Sequence, residues 1–156
     1  MRFLYFIGLI VVFTGCKSVE TSIIVKAKPK DVWSTLLETD RYNEWNSVME
    51  LLEGELIEGK KVKYNVTETE SKQTQIGAKV KKVIKNKELN QTGGIPLVLR
   101  FNHKYLLKPE GNETKITIRE KYSGFYVLFW SSKDIKKAYE RLNLAIKQRT
   151  ESLKVK

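Results

Sequence analysis

The side chains best suited to chemistry in this 156-residue sequence are its single histidine, His103, and the glutamate Glu120. His103 lies in a segment of alternating apolar and polar residues, 97–107, and Glu120 lies in a second such segment, 114–122. A period of two predicts β-strands. Residues 109–112 between them, with the sequence PEGN, predict a turn that makes the two strands an antiparallel pair.

The pairing register decides how close the two side chains come. If Lys108 lies opposite Glu113, the patterned faces of both strands stay together. Phe101 then faces Glu120, and His103 is a diagonal neighbour of Glu120 on the inward face. Such a pair could hydrogen-bond each other in the core, orient the polar group of a ligand, or act as a general base and acid. No nucleophile motif or phosphate-binding glycine loop supports a sharper catalytic prediction.

Aromatic side chains are frequent on the same predicted face. They could line a pocket for a flat or apolar ligand, or they could fill the core of the domain. With His103 and Glu120, the residues predicted to bind a ligand are Trp33, Trp45, Tyr64, Phe101, Tyr105, Tyr122, Phe129 and Trp130. Residues 124–130 join the sheet to the last helix, and they predict either a mobile apolar lid or a buried extension of a strand.

The composition removes several classes of protein. One cysteine cannot form an internal disulfide, and one cysteine with one histidine excludes the cysteine-rich zinc modules. No cluster of carboxylates replaces them, so we expect no metal site and no cofactor. The chain has 29 Lys and Arg against 18 Asp and Glu, a net charge of +11. No RNA-binding aromatic motif or helix-turn-helix signature accompanies that charge, so we expect no nucleic-acid partner.

Lysines occupy the outward positions of the predicted strands, and examples are Lys61, Lys63, Lys79 and Lys81. Such a face is either simply solvated or attracts anionic lipid headgroups, at about 1 kcal/mol for each lysine near a charged surface.

Cys16 follows an apolar run of eleven residues, 3–13, that is preceded by Arg2. In a helix this run covers about half of a ~30 Å hydrocarbon core, so residues 1–15 predict a signal peptide and not a membrane-spanning anchor. Residues 13–16, FTGC, resemble the lipobox of bacterial lipoproteins, although Phe13 replaces the usual Leu. The resemblance implies acylation of Cys16, for example with palmitate, and a lipid anchor in the bacterial cell envelope, periplasmic or extracellular. An ordinary secretory signal or a short buried strand is the alternative.

The remaining residues predict one α+β domain. Residues 16–21 are polar and unpatterned and predict a lipidated tether, and residues 22–156 predict the domain itself. A β-branched run at 22–27 predicts the first strand, and Pro29 and Asp40 mark the starts of two short helices. Residues 51–123 predict an antiparallel meander of about six strands. Apolar positions from Ile135 to Leu153 follow a 3.6-residue period and predict a long C-terminal helix.

This order of elements, with a set of short motifs, resembles the SRPBCC superfamily, the START-like group of polyketide cyclase/dehydrase-like and lipid-transport-like proteins. The motifs in chain order are Ala27-Lys28-Pro29, Val32-Trp33, Asp40, Tyr42, Trp45-Asn46, Gly54, Gly59, His103, Glu120, Gly124, residues 143–147 and Glu151. The resemblance covers residues 22 to about 153, and Ser47 departs from the Pro of many relatives. It implies a helix-grip fold, in which a curved antiparallel sheet of about seven strands wraps the C-terminal helix.

Three classes of function follow from these features. The first is a membrane-tethered domain that holds a small hydrophobic or lipid-like ligand in a cavity between the sheet and the C-terminal helix. The second is a cyclase- or dehydratase-like enzyme that uses His103 and Glu120 as an acid/base pair. The third is a protein-interaction module that uses the basic face of the sheet. We expect the first, because the fold alone assigns no reaction.

Overall fold

A seven-stranded antiparallel sheet and a long helix dominate the computed structural model, which describes residues 15–153. The strands and helices in chain order are β1 Gly15–Val25, α1 Pro29–Leu37, α2 Tyr42–Trp45, β2 Met49–Gly54, β3 Lys61–Thr69, β4 Lys72–Ile84, β5 Glu88–Ile95, β6 Leu99–Glu110, β7 Glu113–Gly124 and α3 Lys133–Ser152. Short 3₁₀ turns occupy Thr39–Arg41 and Phe125–Leu128. We call the second of these the linker turn.

The strands lie in the order β1-β7-β6-β5-β4-β3-β2, so the meander β2 to β7 is closed at one edge by β1. Helix α3 packs against β1, β3 and β7, and also contacts α1. The predicted helix-grip fold, with about seven strands, two short helices after the first strand and a long C-terminal helix, is confirmed.

The core lies between the inward face of the sheet and α3. Its largest fully buried side chains include Leu36, Leu89, Ile116, Ile118, Leu142 and Ile146. Ile116 and Ile118 of β7 alternate with half-buried polar positions, and Leu142 and Ile146 of α3 are four apart, as the two periods require. Each such side chain stabilises the fold by about 1.5–3 kcal/mol through burial.

The first strand is longer than the sequence predicts. Residues 16–21, predicted to be a tether, form the first half of β1, and the pairing with β7 runs from Gly15 opposite Gly124 to Val25 opposite Thr114. Val19 and Thr21 are the two buried positions of this half. So short an alternation gives no clear pattern in the sequence, whereas the backbone of β7 offers a complete set of hydrogen-bond partners to these residues.

The β6–β7 hairpin differs from the prediction by two residues. Lys108 lies opposite Lys115, and Glu110 lies opposite Glu113, so the turn consists of Gly111 and one further residue. Gly111 adopts a positive φ of 63°, which a two-residue hairpin turn commonly requires. A shift of two keeps every side chain on its predicted face.

Residues 124–130 do not extend β7, so the predicted buried strand extension is wrong. Gly124 has a φ of 132°, a conformation that glycine adopts far more readily than other residues, and the chain turns there into the linker turn. Within the linker turn Val127 is buried, while Phe125, Tyr126 and Leu128 are exposed. The alternative, a mobile lid, stays a prediction.

The predicted signal peptide falls almost wholly on residues 1–14, which lie outside the described residues, and it stays a prediction. Between residues 15 and 153, no helix has the length and apolarity needed to cross a bilayer.

Candidate functional site

A buried polar cluster lies at the centre of the inward face, where β6 pairs with β7. His103 and Glu120 are directly opposite each other and are 3% and 4% exposed. The imidazole Nδ1 lies 3.8 Å from the carboxylate oxygen Oε2. The predicted diagonal arrangement is therefore wrong in detail, because the two residues are direct cross-strand partners.

Two tyrosine hydroxyls hold the Glu120 carboxylate. Tyr122, two residues along β7 on the same face, donates to Oε2 at 2.5 Å, and Tyr139 of α3 donates to the same oxygen. Burial raises the pKa of both tyrosines, and the Glu120 charge raises it further. Both phenols therefore stay protonated and serve as hydrogen-bond donors to the carboxylate.

His103 is held by ring packing and has one nitrogen without a partner. Its ring lies edge-on to Tyr105, with centroids 4.7 Å apart, and to Tyr139, with centroids 5.3 Å apart. The buried Nε2 has no hydrogen-bond partner among residues 15–153. A buried polar atom left unpaired costs about 1–3 kcal/mol, so Nε2 is the group of this cluster that a bound molecule would satisfy.

The cluster extends across the sheet through Gln91 of β5, which lies opposite His103. The Gln91 amide donates to the hydroxyl of Tyr64 on β3 at 2.9 Å. Burial raises the pKa of Tyr64, so this phenol is also neutral. A second buried polar pair, Gln91 with Tyr64, thus lies next to the His103–Glu120 group on the inward face.

Several predicted ligand-binding residues belong to this region. The hydroxyl of Tyr105 contacts the sulfur of Met49 at 3.4 Å, and the ring of Tyr122 lies edge-on to Trp130 at 4.6 Å. Phe101 is half-buried opposite Tyr122. The structure therefore groups Tyr64, Phe101, His103, Tyr105, Glu120, Tyr122 and Trp130 on or beside one inward surface.

The other predicted residues lie elsewhere. Trp33 is buried in α1, and Trp45 of α2 is half-buried with its ring 5.1 Å from that of Tyr42. Phe129 is 81% exposed just after the linker turn, so its side chain faces solvent and not the core.

Tyr139 and Gln91 were not among the predicted site residues. Tyr139 was visible as an inward position in the helical period, but a period does not say which strand residue a helix side chain meets. Gln91 of β5 pairs with Val80 of β4, next to the point where the β4–β5 register shifts. The sequence there does not alternate cleanly, so it did not show that Gln91 faces inward.

The sheet and α3 touch directly at the cluster, where the sequence predicts a cavity. Tyr139 of α3 packs on the ring of His103 and donates to Glu120, so it fills this position. Admission of a ligand to this space therefore requires Tyr139 or the segment after β7 to move.

Concavities open instead on the outer face of the sheet. One of about 550 Å³ is lined by residues that include Cys16, Ser18, Lys81, Arg100 and Lys121. A second, of about 290 Å³, is lined by Asn102, Lys104, Arg119 and Lys121. No group of three or more His, Cys, Asp or Glu side chains in the described part of the chain could hold a metal ion.

The arrangement favours binding over acid–base chemistry. Glu120 Oε2 already accepts two hydroxyl hydrogen bonds, and the Glu120 side chain is buried from solvent. A general base must reach the proton that it removes, and the buried Glu120 is not placed to do so. Binding requires only that a polar group of the ligand pairs with His103 Nε2.

Comparison with known proteins supports the fold. The sequence profile of the family described as Activator of Hsp90 ATPase homolog 1-like protein matches residues 26–146. No curated protein matches the chain significantly.

Solved structures with very different sequences share the architecture. A protein of unknown function from Staphylococcus aureus is 14% identical, with a TM-score of 0.70 over 94% of this chain and 100% of that chain. Norcoclaurine synthase from Thalictrum flavum, in complex with dopamine and hydroxybenzaldehyde, is 13% identical, with a TM-score of 0.65 over 89% of this chain and 88% of that chain. Identities this low establish a shared fold alone.

Proposed function

We propose that this chain, which belongs to the Activator of Hsp90 ATPase homolog 1-like family within the SRPBCC superfamily, is a membrane-tethered ligand-binding domain. The ligand is a small hydrophobic or lipid-like molecule with one polar group, held between the sheet and α3. The observation that carries the ligand-binding part of this proposal is the buried Nε2 of His103, which has no hydrogen-bond partner among residues 15–153.

The neighbouring carboxylate selects the chemistry of the polar group. The Nδ1 atom of His103 faces Glu120 Oε2 at 3.8 Å, so the carboxylate favours the tautomer that carries its proton on Nδ1. Nε2 is then a hydrogen-bond acceptor, and its best partner is a donor such as a hydroxyl. The apolar side chains around the cluster suit the rest of a hydrophobic molecule.

The segment between β7 and α3 provides the route for the ligand. Trp130 packs on Tyr122, which in turn donates to Glu120, so this segment covers one end of the cluster. It exposes several large apolar side chains, but the backbone N–H groups of Phe125 and Tyr126 donate to the carbonyls of Leu97 and Val98, so local opening must break these two hydrogen bonds. We expect the segment to break these bonds and swing about Gly124 when it admits the ligand.

The tether is the acyl modification of Cys16 that the lipobox-like sequence implies. Cys16 is exposed at the start of β1, on the outer face of the sheet. Acyl chains anchor a protein at about 0.8 kcal/mol for each buried methylene, and more than one chain gives stable attachment.

Native mass spectrometry tests the binding proposal. The full chain, purified from its own host in detergent, should carry a non-covalently bound small molecule. His103→Phe keeps an aromatic ring but removes Nε2, and we expect it to lose the bound mass. Thr150→Val is the matched control, because it removes a buried hydroxyl that bonds Thr35 at the far end of α3.

If His103→Phe and the unmutated chain carry the bound molecule in equal fractions, the imidazole is not part of the binding site. A chain that never carries a bound mass, while Thr150→Val and the unmutated protein are equally folded by circular dichroism, would contradict the ligand-binding function itself.

A further inference from the structure

Large apolar side chains are exposed together at the end of the sheet where β1 begins. They come from the end of β5 and the turn that follows it, and from the linker turn with the residue after it. We call them the apolar rim: Ile95, Leu97, Phe125, Tyr126, Leu128 and Phe129, which are 64, 68, 44, 48, 52 and 81% exposed.

Backbone contacts join the parts of the apolar rim into one surface. The N–H of Phe125 donates to the carbonyl of Leu97 at 2.9 Å, which ties the linker turn to the β5–β6 turn. Gly15 packs so closely against Leu128 that an added Cβ would lie 2.9 Å from the Leu128 side chain. Gly15 itself is removed by the proposed cleavage before Cys16, but its position shows that the rim lies at the start of β1, next to Cys16.

The apolar rim contains a residue with a strained backbone, Leu97. Leu97 has a φ of 64°, a left-handed conformation that residues other than glycine rarely adopt. Its side chain is 68% exposed in that conformation. Strained positions of this kind cluster at functional surfaces, because the surrounding structure holds them in place.

A basic groove begins on the outer face beside the same cysteine. It is the concavity of about 550 Å³, and Cys16, Lys81, Arg100 and Lys121 contribute to its lining. Within residues 15–153, no carboxylate forms an ion pair with any of these three cationic side chains. The groove thus offers positive charge that no carboxylate of the described residues pairs with.

We propose that the apolar rim and the basic groove together form a docking surface for a bilayer containing anionic phospholipid. The rim inserts among the headgroups and the upper acyl chains, and the groove binds headgroup phosphates. This inference rests on the proposed tether at Cys16 and deepens it. The tether leads directly into β1 with no slack, so it holds this face of the domain against the membrane.

The docking surface also specifies where the ligand comes from. The linker turn lies in the rim, and the same segment covers the His103 cluster through Trp130 and Tyr122. When the rim is inserted, this segment opens toward acyl chains and not toward water. The ligand of the domain is therefore drawn from the bilayer, as a lipid or a molecule dissolved in it.

A site-specific fluorophore tests the docking surface. Nitrobenzoxadiazole is attached to Phe129→Cys in the full chain, reconstituted into vesicles of equal parts phosphatidylcholine and phosphatidylglycerol. Ile57→Cys is the matched control, because Ile57 is 53% exposed in the β2–β3 loop, at the far edge of the sheet. Doxyl-labelled phosphatidylcholine quenches fluorophores in the bilayer, and iodide quenches those in water.

We expect doxyl lipid to quench the Phe129→Cys label several-fold more than the Ile57→Cys label, with iodide giving the opposite order. Adding Arg100→Glu and Lys121→Glu should reduce the doxyl quenching of the Phe129→Cys label to its level in pure phosphatidylcholine vesicles. Equal quenching at both sites overturns the proposal. So does a Phe129→Cys label shielded from both quenchers, since residues 1–15 or a second copy of the chain would then cover the rim.

The intact mass separates this inference from the tether on which it rests. If Cys16 is acylated but the label at Phe129→Cys lies in water, the tether is supported and the docking surface is overturned. If Cys16 is unmodified, it also takes up the fluorophore, and the tether is overturned. Lipid quenching of the label at Phe129→Cys would then support the docking surface without the tether.

Discussion

Glu120 is the residue on which the buried cluster depends, because a carboxylate in an apolar core needs compensating donors. Tyr122 and Tyr139 supply them through their hydroxyls, and His103 Nδ1 faces the same oxygen at 3.8 Å. Removing one partner of a buried charged group costs more than the net contribution of the bond, since the other partner stays buried and less well paired.

Tyr139→Phe isolates one of these hydrogen bonds. It keeps the ring that packs on His103 and removes the hydroxyl that donates to Glu120. We expect the free energy of unfolding in urea to fall by about 1.5–3 kcal/mol, the range for hydrogen bonds to charged groups.

Tyr126→Phe is the matched control, because Tyr126 is half-exposed and its hydroxyl makes no hydrogen bond within the described residues. Its stability should stay within about 0.5 kcal/mol of the unmutated chain. An equal loss in both variants would mean that the Glu120 contact contributes nothing particular to stability.

Among the elements, α3 decides the shape of the interior, and its position is set at both ends. Near its start Tyr139 reaches Glu120, and near its end Arg149 forms two hydrogen bonds of 2.9 Å with Glu38, just after α1. The Arg149 guanidinium holds the pKa of Glu38 below its ordinary value of 4.5. A paired carboxylate therefore links α1 to α3.

Glu38→Gln should make the free energy of unfolding less dependent on pH in the acid range. A pKa lowered by folding stabilises the native state above the ordinary pKa, and that stabilisation is lost as the pH falls below about 4.5 and through the folded value. We expect the variant to be about 1 kcal/mol less stable at neutral pH, with the difference shrinking below pH 4.5.

Thermal unfolding measured from neutral to acid pH checks this dependence. Glu53→Gln is the control, because Glu53 is well exposed and lies 3.5 Å from Lys63, so its removal should have little effect at any pH. A constant difference between Glu38→Gln and the unmutated chain at every pH would refute the charge-based account of the α1–α3 contact.

For the whole molecule, the start of β1 brings three features to one end: Cys16, the apolar rim and the basic groove. β1 pairs along its whole length with β7, so the attachment point is fixed relative to the sheet. An anchor at Cys16 would for that reason orient the domain as well as retain it at the membrane.

Cys16→Ser tests the anchor in cells. If Cys16 is acylated, the substitution should abolish the incorporation of labelled palmitate and leave the leader uncleaved, which gives a larger band on denaturing gels. Ser18→Ala changes the next outward-facing residue of β1 and should keep both properties. An unmutated chain that is shorter than the full sequence but takes up no palmitate would indicate an ordinary secretory signal.

Residue patterns alone determined the types of the elements and the faces of the strands. The periods of two and 3.6 predicted the sheet, the long helix and the inward placement of His103 and Glu120, because those patterns arise from neighbours close in the chain. They placed the start of β1 too late, since the polar residues before Ser22 become a strand through the backbone of β7.

Tertiary structure alone decided which inward groups meet. The turn at Gly111 moved the register by two and brought His103 directly opposite Glu120, and the docking of α3 brought Tyr139 onto the same carboxylate. Tertiary structure also put the apolar rim beside Cys16, although its members lie about 80 to 113 residues further along the chain. Distances between such residues depend on turn geometry and on packing between elements, and no local pattern encodes either.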